Sequence, residues 1–302
     1  MTVQSLAAFD ASLHAIGLRP EEVEALIGTA LNEDLRDGPD VTTAATVGSA
    51  ATGWAAVVSR EQGVLAGAPI AVAVFDHVLG GDLEIGVQLP DGSPLQPGST
   101  ALSLHGHLSG LLTAERTALN LLTHLSGVAS LTRRWVDAVA GTGAVIRDTR
   151  KTLPGLRALE KYAVRCGGGQ NHRMSLGDAA LIKDNHIEAA GSVASAIAAV
   201  RALRPDIVLE VEVDTLGQLD EALDNGATLI LLDNFSLPDT VTAVRRTAAH
   251  PGVRLEASGG LTLDLAHAVA ATGVDFLAVG ALTHSAPGLD LGLDLGLDLG
   301  VL

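Results

Sequence analysis

The sequence predicts an α/β protein: an incomplete (β/α) barrel of about six to seven parallel strands, joined to an N-terminal α/β open-sandwich domain. Three observations predict it. From Ala144 onward, short aliphatic runs alternate with helix-length amphipathic runs, the rhythm of consecutive βα units and hence of a parallel sheet. The hydrophobic fraction is 47% while aromatics are only 2%, so the core is built from Ala, Val, Leu and Ile. That suits Ala-rich helices on aliphatic strands better than a sandwich or a propeller. No Gly-x-Gly-x-x-Gly turn follows a strand, which favours a barrel over an open dinucleotide-binding sheet.

Residues 1–115 read as the N-terminal domain. Pro20–Leu31 is helical, with acidic residues in its first turn and Val23, Leu26, Ile27 and Ala30 at helical spacing. Strands follow at Thr52–Ser59, Leu83–Val87 and Thr100–His105, separated by turn-rich pieces such as Pro90–Gly98. Ala114–Ala140 is one long helix, or two joined at Gly127. The barrel is assigned to residues 116–285. Its strands are expected at Ala144–Arg147, Ala180–Lys183, Val208–Val213, Thr228–Leu232, Val253–Ala257 and Phe276–Val279, with Asn171–Leu176 the candidate for a seventh. Helices suit Val193–Leu203, Leu216–Asn225, Leu237–Ala249 and Leu263–Ala271. The tail, Leu289–Gly300, is Leu-Asp-Leu-Gly three times over. Leucine at every odd position is a period of two, which favours an edge strand, with residues 286–302 returning to the N-terminal domain; a frayed tail is the alternative.

Composition excludes several classes. Cys166 is the sole cysteine, so no intrachain disulfide can form and a reducing, cytoplasmic setting is expected. Met1–Asp10 has neither the basic nor the apolar region of a signal peptide, and no apolar stretch approaches the ~18 residues of a membrane span. A net charge of -16 argues against nucleic acid or acidic membrane as a partner. The average conceals a segregation. Arg116–Lys183 holds 11 basic residues against 4 acidic, whereas the rest of the chain holds 8 against 31. A pocket for a small, multiply anionic ligand explains cations gathered in one segment of an acidic protein.

In a parallel barrel, functional residues cluster just beyond the C-terminal ends of the strands. Those positions carry Asp148-Thr149-Arg150-Lys151, Lys183-Asp184-Asn185-His186, Glu210-Val211-Glu212, Asp233-Asn234, Ser258-Gly259-Gly260 and Gly280. Arg150, Lys151, Arg173 and Lys183 suit carboxylate and phosphate oxygens. Glu212 and Asp233 suit Mg²⁺ or sugar hydroxyls. Ser258-Gly259-Gly260 and Gly280 offer bare backbone N–H groups to a phosphate. The predicted ligand therefore has a phosphate, a metal-chelating part and further negative charge. Other groups have plainer readings. His14, His77 and His250 are surface or core residues, and Cys166 is a packing residue. Arg157, Lys161 and Arg165 share one helix face, which is either solvated or a wall of the basic pocket. Asp34–Asp40 lacks EF-hand spacing and reads as a turn.

Several motifs carry a resemblance. They are Asp-Thr-Arg-Lys-Thr-Leu-Pro-Gly-Leu-Arg (148–157), Leu-Glu-Lys-Tyr-Ala-Val (159–164), Gly-Gly-Gly-Gln-Asn-His-Arg (167–173) and Leu-Ile-Lys-Asp-Asn-His (181–186). Glu-Arg-Thr-Ala-Leu-Asn (115–120), Glu-Val-Glu (210–212), Leu-Asp-Asn (232–234), Ala-Ser-Gly-Gly (257–260) and Gly-Ala-Leu-Thr-His-Ser (280–285) continue it in order. Over about Glu33–Ser285 the chain resembles the quinolinate phosphoribosyltransferases, a type II phosphoribosyltransferase family. The resemblance implies that quinolinate and phosphoribosyl pyrophosphate give nicotinate mononucleotide, pyrophosphate and CO₂, with Mg²⁺. It implies that Arg150, His172, Arg173 and Lys183 bind the two carboxylates, and that Arg116 of a homodimer reaches its neighbour's site. Lys151, Glu212, Asp233, Ser258, Gly259 and Gly280 would hold the phosphoribosyl donor, with His284 near its 5′-phosphate. Thr149, Gly260, Val279 and Ala281 complete the substrate-binding set. Lys151, Glu212 and Asp233 are the catalytic candidates, Glu212 and Asp233 also serving Mg²⁺ directly or indirectly. Departure of pyrophosphate leaves an oxocarbenium-like ribose that Glu212 or Asp233 stabilises while the pyridine nitrogen attacks. The quaternised nitrogen is then an electron sink through which the adjacent carboxylate leaves as CO₂.

The sequence departs from the family pattern in three places: extra residues after Asp34, alanine in Leu277-Ala278-Val279 where many relatives carry serine, and the long terminal repeats. Three rival readings stand beside this one. A paralogue could act on nicotinate or another heterocyclic acid, a barrel aldolase could form a Schiff base on Lys183, and a non-catalytic barrel could bind phosphorylated ligands.

Overall fold

Among residues 6–297, which the computed structural model describes, twelve strands occur in chain order. They are β1 (Thr52–Ser59), β2 (Gly63–Val64), β3 (Glu84–Gln88), β4 (Pro94–Leu95), β5 (Thr100–His107) and β6 (Val145–Arg147). β7 (Ala179–Ile182), β8 (Val208–Val213), β9 (Leu229–Asp233), β10 (Arg254–Ser258), β11 (Phe276–Ala278) and β12 (Leu291–Leu297) follow. The chain divides into two compact units, the first holding the described residues up to Leu131, Pro154–Gly168 and those from Ser285, the second Thr132–Leu153 and Gly169–His284. By this division the first unit runs past the boundary expected between 115 and 116, as far as Leu131, and takes Pro154–Gly168 as well, while the segment from Ser285 joins it much as expected for residues 286–302.

The first unit is built on an antiparallel sheet of order β12-β1-β5-β3. Along β1, Gly53, Ala55, Val57 and Ser59 are buried while Trp54, between Gly53 and Ala55, is exposed, the period of two that one covered face imposes. β12 pairs with β1 from Gly53–Leu297 to Ser59–Leu291, so the Leu-Asp-Leu-Gly run forms the edge strand its alternation predicts. The last three residues of the repeat lie outside the described residues. The expected long helix is a single element, Leu108–Ala138, that runs straight through Gly127. A Cβ at Gly127 would lie 2.2 Å from the Pro287 carbonyl oxygen, so the glycine serves close approach of the returning chain and does not break the helix. The helix Ala68–Leu79 carries no sequence assignment. Its residues Ile70, Ala71, Val72, Val74 and Phe75 are all buried, and within the helix only Asp76 and His77 are polar, too few to mark an amphipathic period. The Asp91 carboxylate caps it, accepting the N–H groups of Gly67 and Ala68 at 2.8 and 3.0 Å.

The second unit is a six-stranded parallel ladder of order β6-β11-β10-β9-β8-β7, with β6 and β7 at its two ends: an incomplete barrel. Its helices start where the sequence supplies caps. Ser192 caps Val193–Leu203, Thr215 and Gln218 form a capping box on Leu216–Asp224, and Ser236 caps Leu237–Thr247. The seventh strand expected at Asn171–Leu176 is absent from the described fold, and only a bridge between Arg147 and Gln170 marks its place. The backbone there is bound by side chains instead. Asp148 accepts the His172 N–H at 2.8 Å, and Asp178 accepts those of Met174 and Ser175 at 2.6 and 3.1 Å. Amides committed to carboxylates cannot extend a ladder.

Candidate active site

Within the second unit a cavity of about 410 Å³ opens at the C-terminal ends of the parallel strands, a size suited to a small-molecule ligand. Nine residues anticipated from sequence line it: Thr149, Arg150, Lys151, His172, Arg173, Lys183, Glu212, Asp233 and Ser258. Leu181, Leu231, Ala278 and Glu256 line it as well, and sequence reasoning did not name them as site residues. The strand period explains their number. Glu210 and Glu212 on β8, like Glu256 and Ser258 on β10, are two residues apart and so share a face.

Cations dominate one part of the lining. Arg150 Nε is buried with no hydrogen-bond partner, an unused donor in a charged site. Arg173 donates from Nη1 to the Ala179 carbonyl oxygen at 3.0 Å. Burial, and then the neighbouring Arg150, pull the Arg173 guanidinium below its ordinary pKa. Two guanidinium groups that repel each other in a half-buried site gain by binding an anion. The Lys183 ammonium is ion-paired with Glu212, which joins the basic part of the lining to the acidic part.

The acidic part and the phosphate-binding candidates lie on β9, β10 and β11. Asp233 accepts from Asn234 Nδ2 at 2.7 Å, and the Asn234 N–H donates to the Ser258 carbonyl oxygen at 2.9 Å. Asn234 takes the left-handed conformation, with φ 54. A Cβ at Gly259 would lie 2.3 Å from the Asn234 side chain. Gly280 abuts the site, since a Cβ there would meet Lys151 Cδ at 2.9 Å and Thr149 Oγ1 at 3.5 Å. Thr283 Oγ1 donates to the Lys151 carbonyl oxygen at 2.8 Å and holds that backbone.

The remaining anticipated residues do not line the cavity. Val279 is buried and its N–H donates to the Arg147 carbonyl oxygen, Ala281 begins the short helix Ala281–His284, and His284 is exposed. Gly259 and Gly260 adopt positive φ at the end of β10. Arg116 belongs to the first unit, exposed on the long helix. The shared face of Arg157, Lys161 and Arg165 is neither of the two expected things throughout, because Lys161 is fully buried inside the first unit. Burial pushes the Cys166 thiol up to about 12, which agrees with a packing role and not a nucleophile.

A buried polar cluster contacts the cavity through His172 and Glu256. Glu210 Oε2 lies 2.6 Å and Glu256 Oε1 3.7 Å from His172 Nε2, and Arg147 is ion-paired with Glu256. Burial, and then the charge of Glu210, push the Glu256 carboxyl above the usual carboxylate range. Among the described residues His172, Glu210 and Glu256 are the one group with the composition of a metal site. The ring argues against that use. His172 Nδ1 accepts the Arg173 N–H at 2.7 Å, so the ring proton sits on Nε2 and leaves no lone pair there for a cation. Flipping the ring would lose both hydrogen bonds, which fixes its orientation.

Family models match both parts of the chain: the quinolinate phosphoribosyl transferase N-terminal domain over residues 40–126 and the C-terminal domain over 128–294. The chain belongs to this family. Quinolinate phosphoribosyl transferase relatives span nearly its whole length. A Mycobacterium leprae protein named nicotinate-nucleotide pyrophosphorylase [carboxylating] is 57% identical over 88% of this chain and 94% of its own. A Homo sapiens protein of the same name is 39% identical over 93% and 94%. The solved structure of NadC from Streptococcus pyogenes superposes with a TM-score of 0.88 at 39% identity, covering 93% of this chain and 98% of that one.

Proposed function

We propose that this chain transfers the phosphoribosyl group of phosphoribosyl pyrophosphate to quinolinate with loss of CO₂, yielding nicotinate mononucleotide and pyrophosphate in de novo NAD biosynthesis. The observation that carries this reading is the gathering of Arg150, Lys151, Arg173 and Lys183 around one cavity of about 410 Å³. Quinolinate brings two carboxylates to that cluster, whereas nicotinate brings one. Arg150, Arg173 and Lys183 hold the carboxylates; His172, expected to join them, lines the cavity with its ring nitrogens taken by Glu210 and the Arg173 N–H, and Leu181, Leu231 and Ala278 offer apolar surface to the pyridine ring. Lys151 and Thr149, beside Gly280, with Ser258 and the glycines that follow it, take the phosphoribosyl donor. Glu212 and Asp233 face the ribose and stabilise positive charge that develops at its anomeric carbon. Nitrogen attack forms the N–C bond as the C–O bond to pyrophosphate breaks. CO₂ then departs and leaves the electron pair of the broken C–C bond on the ring carbon, where the adjacent cationic nitrogen stabilises it as an ylide, and that carbon takes a proton.

Glu212 and Asp233 also fit Mg²⁺. Asp214, which does not line the cavity, is held above the usual carboxylate range by partial desolvation and then by the charges of Asp233 and Asp184. Mg²⁺ typically binds through one or two carboxylates plus substrate phosphates and waters, and it would neutralise charge on the departing pyrophosphate. Arg116, exposed on the long helix, is assigned to the partner subunit's site in a homodimer. No helix of the described residues is long and apolar enough to cross a membrane; the single cysteine supports a reducing, cytoplasmic setting. The rival reading of Lys183 as a Schiff-base lysine gains nothing from its ion pair with Glu212, which suits an anion-binding cation and not an amine nucleophile. A product assay with phosphoribosyl pyrophosphate and Mg²⁺, comparing quinolinate with nicotinate, tests the proposal. Nicotinate mononucleotide from quinolinate is expected, and turnover of nicotinate alone would overturn it.

A further inference from the structure

His172 lines the cavity, yet both its ring nitrogens are committed to protein partners. Nε2 faces Glu210, and Nδ1 takes the N–H of the next residue, Arg173. Behind the ring, Glu256 is held by Arg147, whose guanidinium also stacks on Phe276 at 4.7 Å from the ring centroid. Asp148, fully buried, binds the His172 N–H at 2.8 Å and Asn171 Nδ2 at 2.5 Å, so the backbone of this turn is held from a second side. Neutral imidazole has one donor and one acceptor, and whichever group meets one nitrogen decides the other. A carboxylate at Nε2 demands a proton there and leaves Nδ1 bare. The opposite tautomer would set two N–H donors against each other across the 2.7 Å contact to Arg173.

We propose that Glu210, backed by Glu256 and Arg147, is a positioning residue for Arg173: by holding His172 as the Nε2–H tautomer it presents a bare Nδ1 that captures the Arg173 amide. The guanidinium is then anchored from both sides, by that amide and by the Ala179 carbonyl oxygen, and meets a substrate carboxylate without first being ordered. The inference deepens the reading of this cavity as a dicarboxylate site and rests on it. It predicts a selective defect, because Arg173 is assigned to quinolinate and not to the phosphoribosyl donor.

Two variants test it. Glu210→Leu removes the acceptor, whereas Glu210→Gln keeps a carbonyl oxygen in its place. Glu210→Leu should raise KM for quinolinate roughly tenfold or more while KM for phosphoribosyl pyrophosphate stays within about twofold, and Glu210→Gln should recover most of the loss. In ¹⁵N NMR of the histidine rings, the wild type and Glu210→Gln should show His172 protonated at Nε2. An equal rise in both KM values, or no rise, overturns the proposal. A proton on Nδ1 in the wild type also overturns it, a result that stands if Glu210→Leu fails to fold. The ring measurement needs no substrate. A wild-type protein that ignores quinolinate while keeping the Nε2–H form would sink the functional reading and leave the tautomer assignment supported.

Discussion

Arg173 concentrates the electrostatic logic of the site. Its guanidinium is tethered to Ala179, crowded by Arg150 and half-buried, so its charge is disfavoured until an anion arrives. Arg173→Ala is expected to lower kcat/KM by roughly 100-fold or more, about 3 kcal/mol, given about 1.5–3 kcal/mol per charged hydrogen bond. Steady-state kinetics check this, and a near-wild-type value would remove Arg173 from the site. The cations of the cavity were legible in the sequence because charged residues at strand ends are conspicuous among aliphatic runs. Glu256 and the service it performs with Arg147 were not. A carboxylate inside a strand such as Arg-Leu-Glu-Ala-Ser reads as an outward-facing residue until the partner that stabilises its burial is known.

At the scale of elements, local signals carried the strands and the capped helices. β1 and β8 begin and end where alternation and turn residues place them, and the helices after Ser192, Thr215 and Ser236 start at their caps. The misreadings have tertiary causes: Ala68–Leu79 buries apolar residues on several faces with only Asp76 and His77 polar, and the His172, Met174 and Ser175 amides go to Asp148 and Asp178. Gly127 shows how the two levels compete. Replacing it with alanine gains about 1 kcal/mol of helix propensity, but the new Cβ would stand 2.2 Å from the Pro287 carbonyl oxygen. Overpacking against backbone costs typically about 1–3 kcal/mol, so Gly127→Ala should lower Tm in calorimetry. A Tm at or above that of the wild type would mean the returning segment shifts freely.

At the scale of the molecule, an acidic chain of net charge -16 gathers 11 of its 19 basic residues between Arg116 and Lys183, and four of them line the cavity. Arg116, like Arg157, Lys161 and Arg165 of the same cationic segment, belongs to the first unit and does not line the cavity. If it completes a partner's site, mixing inactive Arg116→Ala and Lys183→Ala proteins should restore activity, because one site of each mixed dimer carries neither lesion. Absence of recovery after demonstrated subunit exchange would count against a role in trans. The sequence by itself determined the βα rhythm, the location of the cationic segment and the motif set that marks the family, since these depend on short-range spacing and composition. Only the tertiary structure decided which charges are buried and which nitrogen of His172 carries its proton. It also decided which carboxylates were available to end a strand before it began. Those outcomes depend on contacts between residues far apart in the chain, such as Arg147 with Glu256 and Glu210 with His172, which no local pattern encodes.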